Sequence, residues 1–237
     1  MDTENTQLTV IQNHKPAFSD PGDFIIPRLM LVQSRSAPIV EKRAKEGQVI
    51  DTRSSAVVCD IDRSVEVLLL YGRNWYVQYE PGPSGSKPKY IKSAAFVHGF
   101  PSGKWKHQVV ENGKNLEWKR QLNLSVLLIC DIEGYPHSVS LKGMSVSTAR
   151  NLINYFMDCD HMKKPYYANV FSLSPVLKTF NGFTAYGYDA KKVRTATDVE
   201  FKLADKWATK IESGSVKESN DEEEVSESGL PAEEVPF

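Results

Sequence analysis

The sequence has few cysteines and no long apolar run. Little in it therefore indicates a disulfide-stabilised extracellular protein, a zinc-binding protein or a membrane protein. Its 237 residues include three cysteines, Cys59, Cys130 and Cys159, and none of them forms a C-x-x-C pair. Neither a disulfide framework nor a zinc knuckle is therefore indicated. No apolar run approaches ~18 residues, and the N-terminal residues lack the basic and apolar regions of a secretory signal. We expect a cytoplasmic protein that does not contact a membrane.

Sequence motifs of known catalytic sites are also lacking. There is no phosphate-binding glycine loop, G-x-S-x-G elbow or H-E-x-x-H pair. Asp60 and Asp62 are spaced as in a turn between strands, and nothing pairs His98 or His107 with a nucleophile. Catalysis needs an acid, a base and an electrostatic stabiliser in one place. We therefore expect a protein that is not an enzyme and that uses neither a metal nor a cofactor.

The distribution of charge along the chain is the first feature that indicates a function, although the net charge does not reveal it. The formal net charge is −1. Residues 212–237 contain nine acidic residues against the single base Lys217, so this segment carries −8 and residues 1–211 carry +7. Such asymmetry indicates nucleic-acid interaction or an interaction tail. The acidic segment is rich in Ser, Glu and Gly and has no aromatic residue before Phe237, which predicts disorder.

The acidic segment ends in a short apolar group. Its last five residues are Glu233, Glu234, Val235, Pro236 and Phe237. A solubilising tail gains nothing from a terminal Val-Pro-Phe, whereas a peptide whose ring and carboxylate enter a pocket is a recurrent mode of recognition. We therefore predict that these five residues bind a partner protein.

The body of the chain has the patterns of a mainly β protein. Residues 122–132 alternate between apolar and polar positions, and residues 65–79 contain further strand patterns. Helical spacing begins near Val146, and a capping box at Thr197 and Glu200 opens a last amphipathic helix. This order predicts a small, curved β-barrel with a helix between strands and a C-terminal helix. An oligonucleotide-binding (OB) barrel has the same plan.

Three parts are expected along the chain. Residues 1–22 are polar and have no sustained periodicity, which predicts a flexible N-terminal segment. Residues 23–211 form one OB-fold-like domain, and residues 212–237 form the disordered acidic tail. Within the domain, Asn181–Gly182 is a strong hairpin signal, and no alternating βαβ pattern is present.

Residues 71–120 stand apart because they combine basic and aromatic residues. They contain nine aromatic residues and nine bases against three acids, a net charge of +6. Cations follow the phosphates of a single strand, and flat rings stack on unpaired bases at roughly 1–3 kcal/mol each. The alternative is that these side chains fill the core, as we expect for Tyr71, Val77 and Phe96. The predicted DNA contacts are Arg73, Trp75, Tyr76, Lys87, Lys89, Tyr90, Lys92, Lys104, Trp105, Lys106, Trp118, Lys119 and Arg120.

The local sequence around some of these rings indicates whether they belong to the core or to a binding surface. Tyr90 and Trp105 stand among lysines in loop-like sequence, which favours an exposed binding surface for both. Trp75 and Tyr76 face opposite sides of their strand, so at most one of them belongs to the core. A second candidate region follows the first long helix, and strand alternation places roughly half of its rings in the core. From this region we predict contacts by Lys163, Lys164, Tyr166, Tyr167, Lys178 and Phe180.

The ending Glu-Glu-Val-Pro-Phe resembles the acidic, Pro-Phe-terminated tip of bacterial single-stranded-DNA-binding proteins, and a similar tail with a final aromatic residue occurs in the T7-type phage counterpart. The body resembles a group of bacteriophage single-stranded-DNA-binding proteins with an OB core. This likeness covers most of residues 24–211. The stretches that carry it are residues 26–34, 65–67, 75–79, 140–143 and 147–152.

The resemblance implies a non-enzymatic protein that coats single-stranded DNA in phage replication, recombination or repair. The tail would recruit a polymerase, primase or helicase through Phe237 and would compete with DNA for the basic groove. The body is longer than in the bacterial protein and no Gln/Gly-rich linker is present, so a monomer or homodimer is expected rather than a tetramer. Three alternatives stay open: a strand-annealing recombination mediator, an RNA-binding OB protein and a metal-dependent nuclease.

Overall fold

The computed structural model describes residues 25–34, 36–41, 43–82, 88–131, 134–180, 182–214 and 217–218. The strands are β1 (Ile25–Ile26), β2 (Leu29–Leu31), β3 (Val49–Asp51), β4 (Val57–Cys59), β5 (Val65–Glu80), β6 (Lys89–Ala94), β7 (Lys106–Glu111), β8 (Lys114–Leu128), β9 (His137–Leu141), β10 (Asn169–Phe180), β11 (Phe183–Thr195) and β12 (Lys217–Glu218). The helices are α1 (Ala37–Val40), α2 (Val146–Met162) and α3 (Asp198–Glu212). None of the helices in this part of the chain is long and apolar enough to cross a membrane.

Strands β5 and β8 form the centre of a seven-stranded sheet. They pair from Val67 opposite Leu128 to Tyr79 opposite Glu117. Branched and aromatic residues recur in both strands, which suits a pleated, half-buried surface. One half of the pair is flanked by β10–β11 and β9, and we call it the barrel half. The other half is flanked by β6 and β7, and we call it the extension.

The sheet curls at a bulge in β5. The register between β5 and β8 shifts between Leu69 and Tyr71, and a bulge of this kind bends a strand and increases its twist. Gly72 follows the bulge and lies against helix α2. A Cβ atom at Gly72 would stand 2.5 Å from Cε2 of Phe156. The absence of a side chain at this position lets α2 pack closely into the curl.

The segment around β2 lies between the two edges of the curled sheet. On one side Arg28 forms a bridge with Ser138 of β9, and Ser138 N donates to Pro27 O at 2.8 Å. On the other side Tyr188 of β11 donates its hydroxyl to Leu29 O at 3.1 Å. Strand β2 also pairs with β3, which pairs with β4. The sheet is therefore a half-barrel whose opening is occupied by β2.

Apolar side chains form two clusters, one on each face of the sheet. The larger lies inside the curl and includes Leu122, Leu124 and Val126 of β8 together with residues of α2. The smaller includes Leu127 of β8 and Ala204 of α3. Because successive residues of a strand point to opposite faces, the alternating apolar residues of β8 all face the larger cluster, and Leu127 alone among its residues joins the smaller one.

Helix α3 begins at the capping box that the sequence predicts. Glu200 N donates to Thr197 Oγ1 at 3.4 Å, and Thr197 N donates to Glu200 Oε2 at 2.7 Å. Arg194 of β11 donates to both carboxylate oxygens of Glu200 at 2.7 Å and to Glu66 of β5 at 3.1 Å. The hydrogen bonds from Arg194 hold the pKa of Glu200 low, at about 2. One charged network therefore joins α3, β11 and β5.

These elements confirm a mainly β fold with a curled half-barrel sheet and two long helices, one of them before the last two long strands. Strands β10 and β11 form the expected hairpin, and Gly182 has φ +77 in its turn. Two expectations are wrong. Lys217–Glu218 form a strand that pairs in parallel with β1 rather than a disordered segment, and Phe96 is 75% exposed rather than in the core. Residues 1–22 and 219–237 lie outside the described residues.

The close approach at Gly72 predicts a specific effect on stability. Gly72→Ala should lower the free energy of unfolding by about 1–3 kcal/mol, because the added methyl group overlaps the Phe156 ring and overpacks the core. Urea denaturation measures the loss. The double variant Gly72→Ala, Phe156→Leu is the control, since the smaller side chain makes room and should offset part of the loss. A Gly72→Ala protein as stable as the wild type would contradict this packing.

Candidate nucleic-acid interface

The extension has one face that carries a row of lysines. Residues directly opposite one another in antiparallel strands share a face of the sheet. Lys106 of β7, Lys119 of β8 and Val77 of β5 therefore form one row. Gln121 and Trp75 form the next row on the same face. This face borders a cleft between the extension and the turn that joins β9 to α2.

The cleft has a volume of about 360 Å³ and is lined by bases and rings. No acidic side chain is among the described residues that line it. Single-stranded nucleic acids are bound through cations that track phosphates and rings that stack on bases. The cleft contains such cations, and of its two rings Tyr79 is the one that is partly exposed. Its four bases and two rings are Lys106, Lys119, Arg120, Lys142, Tyr79 and Trp105.

Contacts between cations and rings hold the long side chains at the cleft. Lys119 Nζ lies 5.0 Å from the centroid of the Tyr79 ring, and Arg120 Cζ lies 5.1 Å from the centroid of the Trp105 ring. Glu117 Oε2 lies 3.2 Å from Lys119 Nζ. A partly exposed ion pair contributes at most about 1 kcal/mol to the free energy of folding. A phosphate group can therefore compete with Glu117 for the Lys119 ammonium.

A second depression of about 580 Å³ continues from the cleft. Both are lined by Lys142 and Gly143, which lie between β9 and α2. The other walls are β2 and the β10–β11 hairpin, which contribute Arg28 and Phe183, and Glu46 is the acidic residue in the lining. We call the two depressions together the groove. Five bases therefore line the groove against one acid among the described residues.

Several predicted contact residues meet at the groove. The four that line it are Trp105, Lys106, Lys119 and Arg120. Trp75 lies on the same face of the extension, and the guanidinium of Arg73 stands 4.7 Å from its ring centroid. The Tyr90 ring contacts that of Tyr79 at a centroid distance of 6.4 Å, which places it at the edge of the groove. Lys104 is exposed beside Trp105.

Another group of predicted contacts lies on the opposite face of the extension. Trp118 and Lys92 share a row there, and Lys92 Nζ stands 5.6 Å from the Trp118 ring centroid. Tyr76 lies in the neighbouring row and packs edge-on against Phe100 at 4.8 Å. Lys89 is exposed at the start of β6. The sheet therefore separates these residues from Lys106 and Lys119. Arg120 stands opposite Tyr76 in this row and lines the cleft as well.

The structure corrects the expectation that Trp105 is an exposed ring. Trp105 is 9% exposed and belongs to the larger hydrophobic cluster. Arg120 N donates to Trp105 O at 2.9 Å, and this bond ties the residues before β7 to β8 at the mouth of the barrel. Trp118 is likewise buried, at 5% exposed. Both rings therefore lie beneath charged side chains, and neither presents a free face to a base.

The first predicted contacts of the second region, Lys163 and Lys164, lie far from the groove. Lys163 and Lys164 follow α2, whose 17 residues place them about 25 Å from the end of the helix that borders the cleft. Tyr166 donates its hydroxyl to Asp160 at 2.7 Å, and Tyr167 donates to a carboxylate of α3 at 2.5 Å. Burial, reinforced by these hydrogen bonds, raises the pKa of both hydroxyls. The two rings therefore support helices rather than a binding surface.

The last two predicted contacts, Lys178 and Phe180, lie on the β10–β11 hairpin and differ in whether they face solvent. Phe180 is 68% exposed and stands opposite Phe183, the last pair before the turn. Lys178 does not point its charge outward as a phosphate contact would, because its ammonium donates to Tyr188 O at 3.0 Å. Desolvation lowers the pKa of Lys178. The charge of Lys178 is therefore directed into the protein.

Four groove residues, Arg28, Tyr79, Lys142 and Phe183, were not among the contacts predicted from the sequence. Lys142 carries a readable signal. It is a base between the end of an alternating strand and the first turn of a helix, where backbone N–H groups also favour anions. Tyr79 and Phe183 carry no such local signal, because strand pairing and the fold of the hairpin place them at the groove.

No protein-family model, curated protein or solved structure matches this chain. The function must therefore be inferred from the geometry of the side chains. Of the predicted contacts, Lys87 and the tail residues 233–237 lie outside the described residues. Within the described ranges, no group of three or more His, Cys, Asp or Glu side chains is arranged to hold a metal ion.

Burial of Trp105 predicts a large effect of truncation. Trp105→Ala should lower the free energy of unfolding by about 3–5 kcal/mol, because it removes a large side chain from the core. Phe96→Ala is the matched control from the same part of the chain, and its exposed ring should contribute less than about 0.5 kcal/mol. Urea denaturation of both variants gives the comparison. Similar small losses would mean that Trp105 is a surface ring.

Proposed function

We propose that this chain is a non-enzymatic cytoplasmic protein that binds single-stranded DNA without sequence preference. It would coat and protect the strand during phage replication, recombination or repair. The observation that carries the proposal is the groove, where five bases stand against one acid and aromatic rings form part of the walls. Cations neutralise phosphates whatever the sequence, and rings stack on any of the four bases.

The rings of the hairpin favour a single strand as the ligand rather than a duplex. Phe183 lines the groove and is 66% exposed, so its face is accessible to a base that has no partner. Bases of a duplex are stacked on one another and present only their edges in the grooves. A side chain such as Phe183 therefore gains stacking energy from unpaired bases alone.

The five bases of the groove predict a strong dependence of binding on salt. If each neutralises one phosphate of oligo-dT, the slope of log K against log salt should be near −3.5. Lys119→Met should flatten the slope by about 0.7 and weaken binding at low salt. Lys202→Met is the matched control, because Lys202 is an exposed lysine of α3 that does not line the groove. Fluorescence anisotropy of labelled oligo-dT gives both quantities.

Three results would argue against the proposal. The first is a flat salt response in the wild type, and the second is duplex DNA binding as tightly as oligo-dT of equal length. The third is an equal effect of Lys119→Met and Lys202→Met, since this would place the strand outside the groove. An RNA competitor of equal length shows whether the sugar contributes to recognition.

The acidic tail is the second part of the proposal. Strand β12 pairs with β1, two residues before Arg28, which lines the groove. The tail therefore starts near the groove, and the nineteen residues after Glu218 can span up to about 65 Å when extended. Seven of them are acidic. The tail would compete with DNA for the groove and, once displaced, recruit a polymerase, primase or helicase through Phe237.

Removal of residues 219–237 should tighten binding of oligo-dT several-fold at low salt and less at high salt, because salt screens the competing charges. The matched control removes residues 235–237 alone, which keeps every acidic residue and should leave DNA affinity unchanged. Anisotropy titrations at two salt concentrations compare the three proteins. Unchanged or weaker binding after removal of residues 219–237 would rule out competition by the tail.

A further inference from the structure

The β10–β11 hairpin forms one wall of the groove but projects beyond the sheet. Strand β10 pairs with β5 only from Val170 to Leu173, whereas β10 and β11 stay paired as far as Phe180 opposite Phe183. A two-stranded hairpin is at best marginally stable unless it packs on other elements. Phe183 and Tyr186 of the groove lie on this projecting part. The position of the wall therefore depends on the contacts that brace the hairpin.

The backbone of Tyr188 is the point at which the hairpin is attached to α2. Tyr188 N donates to Ser145 Oγ at 2.8 Å, and Tyr188 O accepts from Thr148 Oγ1 at 2.8 Å. Lys178 Nζ donates to the same carbonyl at 3.0 Å and to Thr148 Oγ1 at 3.4 Å. Four side-chain bonds thus close a network between β10, β11 and the first turn of α2.

Lys178 is the member of this network that lies nearest to the hairpin tip. It stands opposite Ala185, which itself lines the groove. If the ammonium is removed, Tyr188 O keeps its bond from Thr148 and the base of the hairpin stays attached. The loss therefore removes one brace of the projecting wall without detaching the whole hairpin, since Gln33 Nε2 still donates to Tyr186 O at 3.0 Å. Since the ammonium is engaged with the protein, it is also poorly placed to reach a phosphate.

We propose that Lys178 is a positioning residue that fixes the hairpin wall of the groove and does not contact the nucleic acid. This inference rests on the proposed function of the groove. With the ammonium in place, the wall that carries Phe183 is already ordered in the free protein. Binding of the DNA strand then does not carry the entropy cost of ordering this wall. A base that contacts phosphate acts differently, because its loss reduces counterion release and flattens the salt dependence.

Salt-dependent titration with oligo-dT separates the two roles. Lys178→Met keeps most of the side-chain volume and should weaken binding about tenfold by the same factor at every salt concentration. Lys119→Met is the matched control and should flatten the slope by about 0.7. Thr148→Val removes both bonds of Thr148 Oγ1 in the network and should also weaken binding without changing the slope. Unchanged affinity in Lys178→Met, or a slope flattened as in Lys119→Met, would overturn the proposal.

Amide hydrogen exchange of the free proteins tests the brace without nucleic acid. In Lys178→Met, amides of residues 183–187 should exchange faster, whereas amides of β5 and β8 should keep their protection. Unchanged exchange in the hairpin would refute the role of Lys178. If the wild-type chain does not bind oligo-dT, the proposed function fails, and the exchange data still decide whether Lys178 fixes the hairpin.

Discussion

The pairing of β5 with β8 is the constraint on which both the core and the groove depend. One half of the pair carries the barrel and the other carries the lysine row of the extension. The bulge before Tyr71 and the bare backbone at Gly72 turn the sheet around α2. The same turn brings the end of β9 beside the extension, and Lys142 thereby joins Lys119 at the cleft.

Charge acts on this structure in two ways, through a single ion pair at the cleft and through the division of charge along the chain. Locally, Glu117 Oε2 lies 3.2 Å from Lys119 Nζ and holds this ammonium near the cleft. Across the chain, residues 212–237 carry −8 and the remainder carries +7. Strand β12 lies next to β1 and so places the start of the acidic tail near the groove. A net charge of −1 is therefore compatible with a strongly basic binding surface.

The sequence was sufficient for the mainly β fold and its two long helices, but not for the geometry of the groove. The capping box at Thr197 is a local pattern and occurs where it was predicted. The alternation predicted over residues 122–132 lies in β8 only as far as Leu128, because Ile129–Asp131 form a short 3-10 helix. Trp105 is buried in a cluster of residues from several distant elements, and Lys178 meets Thr148 across thirty residues of chain. Alternation reveals which residues share a face, whereas only the tertiary packing decides which face is covered.

The central claim is that a single strand lies along the groove, and hydrogen exchange of the full chain with and without saturating oligo-dT tests it most directly. We expect added protection in residues 114–121, 142–146 and 183–186, which belong to three different parts of the chain around the groove. We expect no change at residues 163–164, at the far end of α2. Protection that appears only outside these three segments, or none at saturation, would contradict the account.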